Sequence, residues 1–141
     1  MTNLSKNIFT TFTQTLVVAL IMGSSLSAQA AKIQNQVLSF FNNSLKVTIN
    51  GETTSSTANF TADVTEAANG NPYPAITSQW LTANLEMVGM DMGITKVKAT
   101  DIKPGQIKFQ ASLSMSGQWK MNLKMTTSAG SEVRSFTFKA P

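Results

Sequence analysis

The chain has 141 residues, eleven Lys/Arg, seven Asp/Glu and a net charge of +4, the size of one mildly basic domain. It contains neither cysteine nor histidine. That excludes disulfide staples, Ser-His-Asp and Cys-His relays, and zinc sites built from His and Cys.

The first segment reads as a leader. Lys6 is the one charge ahead of an apolar run over 16–22, and Ala28-Gln29-Ala30 closes the stretch. A basic start, a short greasy centre and an A-x-A end describe a secretory signal peptide, so residues 1–30 are predicted to be removed after Ala30; the single basic residue leaves an uncleaved anchor as the alternative. The run is shorter than the ~20 apolar residues that a bilayer-spanning helix needs. No transmembrane helix is therefore expected after cleavage, and the protein is expected in the periplasm or otherwise exported from a bacterium. Residues 31–44 form a lead-in. Ile33, Val37, Phe40 and Phe41 are spaced more like a helix than a strand, which predicts a short helix or an irregular segment.

From residue 45 to 141 the pattern has a period of two. Alternating apolar and polar residues mark strands over 45–49, 60–64, 81–87, 97–99, 107–115, 119–125 and 136–138. Turn chemistry separates them: Asn50-Gly51, Asn69-Gly70-Asn71-Pro72, Pro104-Gly105 and Ala129-Gly130-Ser131. Seven short strands with such punctuation predict an all-β, immunoglobulin-like antiparallel β-sandwich. One register argument constrains its connections. Leu113, Met115, Trp119 and Met121 all fall on the inward, odd positions. A two-residue hairpin at Ser116-Gly117 would set inward Met115 opposite outward Gln118, which a sheet cannot accommodate. Either a three-residue loop pairs Met115 with Trp119, or an arch carries the chain from one sheet to the other; the arch is preferred.

The chemistry that survives the missing His and Cys is thin. The lysines stand singly beside apolar positions, with no arginine cluster and no interleaved aromatics, so nucleic acid is not an expected partner. The carboxylates form no calcium loop. Glu86 and Asp91 lie near each other, but scattered carboxylates at strand ends explain them better than an acid/base pair, and no enzyme is expected. The methionines remain. Met121 and Met125 sit mid-strand among apolar neighbours and read as core filler. "LEMVGMDMG", residues 85–93, sets Met87, Met90 and Met92 around Gly89. Thioethers are neutral, need no deprotonation and select Cu(I) or Ag(I) over harder ions. Met87, Met90 and Met92 suit a weak, transient Cu(I) contact, with Met115 as a supplementary ligand. No cofactor is required by the sequence, and Cu(I) is the one that these side chains would suit. Two other readings stay open: a Met loop that docks a partner, and a hydrophobic loop that caps one end of the sandwich. Trp80, next to inward Leu81, turns outward and joins Met90 and Met92 as a partner-binding candidate, unless a neighbouring loop at Tyr73-Pro74 covers it.

The succession of a Met-rich loop, Pro-Gly before an alternating strand, and then "LSMSGQWKMNLKM" resembles the YtkA-like domain family. The residues that carry the resemblance are Met87, Met90, Met92, Pro104, Gly105, Leu113, Met115, Gly117 and Trp119. It covers roughly 45–125. It implies a small exported sandwich of the bacterial periplasm or envelope, loosely associated with copper or heavy-metal handling, whose partners would be an envelope protein or a metal transporter. Members of that family often add histidine near the methionine loop, and this chain has none.

Overall fold

The computed structural model describes residues 30–141, so the expected signal peptide lies outside the described residues, apart from Ala30. Every regular element among them is a strand. They are β1 (Ala31–Phe40), β2 (Leu45–Thr53), β3 (Thr57–Glu66), β4 (Leu81–Met87), β5 (Thr95–Lys96), β6 (Lys98–Lys103), β7 (Gln106–Ser112), β8 (Gly117–Thr127) and β9 (Gly130–Ala140). They form two antiparallel sheets, one in the order β1-β2-β3-β7-β6 and the other in the order β5-β4-β8-β9. With β2 taken as the first immunoglobulin strand, β2-β3-β7-β6 is the A-B-E-D sheet and β5-β4-β8-β9 is C′-C-F-G. β1 is an extra strand on the outer edge of the first sheet. Among the described residues no helix is long and apolar enough to cross a membrane.

The alternation that predicts the strands also fills the core. Val47, Ile49, Ala62 and Val64 from one sheet meet Leu81, Leu85, Met121, Leu123 and Met125 from the other, all sealed from solvent. Trp119 is buried, and its Nε1 donates to the Met115 carbonyl at 3.2 Å, which satisfies its polar atom. Phe60 packs edge-on against Phe136 and Phe138 across the sheets, at centroid distances of 6.0 and 5.1 Å.

The strand list differs from the sequence reading in two places. Most of the lead-in 31–44 is neither helix nor irregular: over 31–40, β1 pairs with β2 from Ala31↔Thr53 to Phe40↔Leu45, and only 41–44 is an irregular turn, with Phe41, Asn42 and Asn43 at φ of 51°, 55° and 63°. The register slips between Ile33 and Gln36, where Asn35 takes a left-handed φ of 52° and its N–H is bound by Asn50 Oδ1 at 2.9 Å. This bulge inserts a residue into the period of two, and the result imitates helical spacing. Past it, Leu38 and Phe40 point inward in ordinary alternation. The second addition is β5, which pairs with β4 only at Asn84↔Lys96 and Leu85↔Thr95 and is too short to leave a pattern.

The arch is present. β7 ends at Ser112 in the first sheet and β8 begins at Gly117 in the second, so residues 113–116 cross between sheets. Leu113 is buried as expected. Met115 is not: it lies beyond the strand, on the arch, and is 39% exposed.

The two sides of the sandwich are closed differently. On one, β1 and β9 are latched together. Arg134 Nε donates to the Ser39 carbonyl at 3.0 Å, and Glu132 Oε1 accepts from Phe41 N at 2.8 Å and from Arg134 Nη2 at 2.9 Å. The guanidinium lies 5.7 Å from the Phe40 ring centroid. On the other side the chain steps from β5 to β6 through Val97 alone.

The methionine end of the sandwich

β4 and β8 run antiparallel with Met87 opposite Trp119, so the loop that leaves β4 and the arch that enters β8 share one end of the molecule. The ladder continues one residue past β4: Val88 N donates to the Gln118 carbonyl at 2.9 Å. Then the backbone turns away. Gly89 and Gly93 have φ of 81° and 76°, a region that L side chains avoid, and they bracket Met90-Asp91-Met92. With a glycine at either end, the segment is held off the sheet and its side chains face water. Met90 is 51% exposed and Met92 45%. Val88 and Ile94, on either side of the glycines, are exposed too.

Met87 behaves differently. As the last inward residue of β4 it is half-buried against the core, and its methyl carbon lies 2.5 Å from where a Cβ on Gly117 would stand. Gly117, at φ 137°, leaves room for that methyl at the foot of the arch. The structure thus brings Met87 beside the arch that bears Met115, places Met90 and Met92 outside on the loop, and sets all four at one end. A shallow groove of about 370 Å³ is lined by Glu86, Met87, Gly89, Met90, Asp91, Gly93 and Ile94. Glu86 also contacts Lys120 Nζ at 3.8 Å and accepts from Asn122 Nδ2 at 3.3 Å. Asp101, the remaining carboxylate near this stretch in sequence, is engaged elsewhere: its oxygens accept from Ser78 N and Oγ, both at 2.7 Å. Among the described residues no three His, Cys, Asp or Glu side chains gather where they could hold a metal ion, so a metal here would depend on sulfur.

Trp80 is 43% exposed and precedes β4, whereas Met90 and Met92 follow it. Seven extended residues span roughly 20 Å, so these three partner candidates sit at opposite ends and do not form one surface. Trp80, Tyr73, Ala75 and buried Ile76 line a hollow of about 230 Å³, so the 73–76 loop faces the indole across an open gap. A wider groove of about 690 Å³ beside β5 is lined by polar side chains such as Asn59, Lys96, Lys98 and Gln110, with no acid–base couple. Sequence reasoning passed over Val88 and Ile94. The signal for both was the break in alternation at the bracketing glycines.

A family model described as YtkA-like matches residues 41–124. The chain belongs to the YtkA-like family. The match runs from the turn before β2 into β8, so the methionine loop, the Pro104-Gly105 turn and the arch all lie within the YtkA-like region. The two glycines that carried the resemblance have a steric reason. Gly117 accommodates Met87, and a Cβ on Gly105 would stand 3.2 Å from the Tyr73 carbonyl oxygen. No curated protein matches the chain. Among solved structures, a DUF4426 family protein from Pseudomonas aeruginosa PAO1 is similar in fold. Its TM-score is 0.56 at 13% identity, covering 74% of this chain and 94% of that one.

Proposed function

We propose that this YtkA-like sandwich is an exported, non-enzymatic binding domain that contacts a soft monovalent metal, Cu(I), through its methionine end. The observation that carries the reading is the exposure of Met90 and Met92 on a loop held off the sheet by two left-handed glycines. A thioether used only for packing belongs inside, as Met121 and Met125 are. Met115 on the adjoining arch supplies a third exposed sulfur, and Met87 a half-buried one. Glu86 and Asp91 line a groove with Met87 and Met90, and their carboxylates favour a cation over an anion there. An all-thioether site binds more weakly than one with imidazole or thiolate, which fits transient transfer to an envelope protein or metal transporter.

The test is a competition titration of the purified protein with Cu(I), and with Ag(I) as its redox-inert stand-in, against a soluble chelator. The triple variant Met90→Leu, Met92→Leu, Met115→Leu should lose at least tenfold in affinity, or about 1.4 kcal/mol. Equal and negligible binding by both proteins would end the metal reading. Export is tested by fractionation and N-terminal sequencing, with Ala31 as the expected first residue.

One observation favours a second reading, a metal-free interaction module of an envelope complex. Among the described residues Ile94 is the most exposed of the large apolar side chains, at 66%, and with Val88 it extends the methionine surface by residues that cannot ligate a metal. On that reading Ile94→Asp abolishes co-purification of a partner, while Met90→Leu leaves it intact.

A further inference from the structure

We propose that Met90, Met92 and Met115 are sites of reversible oxidation by peroxides, and that their sulfoxidation switches the methionine end from apolar to polar without disturbing the fold. The described residues include six methionines in three environments. Met90, Met92 and Met115 are 51%, 45% and 39% exposed; Met87 is half-buried; Met121 and Met125 are sealed at 0%. Oxidation of a thioether requires the oxidant to reach the sulfur, so this distribution becomes an order of reactivity. There is no cysteine in the chain to react first.

The step balances with hydrogen peroxide as the oxidant. A sulfur lone pair attacks the nearer peroxide oxygen, an S–O bond forms and the O–O bond breaks. The departing oxygen takes up the proton left on the transferred one and leaves as water. Sulfur loses two electrons and peroxide gains them. The product is polar and chiral, and methionine sulfoxide reductases, one for each epimer, reverse the change. On an exposed loop the added oxygen is simply hydrated. The same oxygen at Met121 or Met125 would be an unpartnered polar atom in the core, and there the packing excludes the oxidant. Met87 stands between: an oxygen on its sulfur would be added close to the contact with Gly117. The consequence for metal rests on the function proposed above, because a sulfoxide no longer offers a soft thioether.

Timed exposure of the purified protein to hydrogen peroxide, followed by peptide mass spectrometry, tests this. Met90, Met92 and Met115 should gain oxygen at least ~10-fold faster than Met121 and Met125, with Met87 in between. The thermal midpoint of the triply oxidised protein should match that of the reduced one, binding of a hydrophobic dye should fall, and reductase treatment should restore dye binding. Similar oxidation rates at all six positions, a lowered midpoint after the first three oxygens, or unchanged dye binding would each overturn the proposal. Ag(I) titration of the same samples keeps the two claims apart. A protein that oxidises in the expected order but binds no Ag(I) in either state refutes the metal reading and leaves the oxidation site standing.

Discussion

Gly117 shows how one residue couples the arch to the site. Its φ of 137° is costly for any side chain, and the Met87 methyl fills the space that a Cβ would take. Gly130 provides the comparison, since its φ is 121° but nothing lies within 4 Å of its Cβ position. Gly117→Ala and Gly130→Ala should each lose ~1–3 kcal/mol in urea denaturation through backbone strain, with only a small excess at Gly117, because the Met87 methyl is the far end of a flexible side chain and can swing aside. A large excess at Gly117 would mean that Met87 is held in place. Thr53 makes a second single-residue case. Among the described residues it is the buried polar side chain, and its Oγ1 donates to the Lys139 carbonyl at 2.9 Å, tying β2 to β9. Thr53→Val keeps the shape and removes the donor. It should destabilise by ~1–2 kcal/mol, while Thr82→Val, on the exposed face of β4, should cost less.

At the scale of the strand, β1 determines whether the domain begins at 31 or at 45. Phe40 is completely buried against the rest of the core. Phe40→Ala should cost ~3–5 kcal/mol by denaturant unfolding, where a mere lead-in would give nearly nothing. The strands legible in the sequence were those with an unbroken period of two: β2, β3, β4, β7, β8 and β9, plus the middle of the β5–β6 stretch. The bulge at Asn35 hid β1, because one inserted residue turns alternation into something like a helical repeat. β5 was invisible at two residues. The arch could be inferred because Leu113 and Trp119 both had to face inward, an argument of register alone. Carrying that alternation on to Met115 failed, since the strand ends at Ser112 and parity has no meaning on a loop. The loop character of Met90 and Met92 was readable from Gly89 and Gly93. The separation of Trp80 from them was implicit in seven extended residues and became evident only once β4 had its full length.

At the scale of the molecule, cohesion comes from packing and backbone ladders without any covalent link, because there is no cysteine. The thermal midpoint should be identical with and without a thiol reductant. The two sides of the sandwich nevertheless differ. The β1–β9 side is stapled by Arg134, Glu132, Ser39 and Phe41; on the other side β6 is paired with β7 from Lys98↔Gln110 to Lys103↔Gln106, but β5 holds to β4 by two residue pairs. The molecule resembles a book with a stitched spine and a loose fore-edge. Amide exchange should be faster at Thr95 and Lys96 than at Phe136 and Phe138 by orders of magnitude. The residues that meet the outside, 88 to 94, are threaded onto that fore-edge. On the binding reading proposed above, a guest would be met at the margin of the pages, away from the stitching.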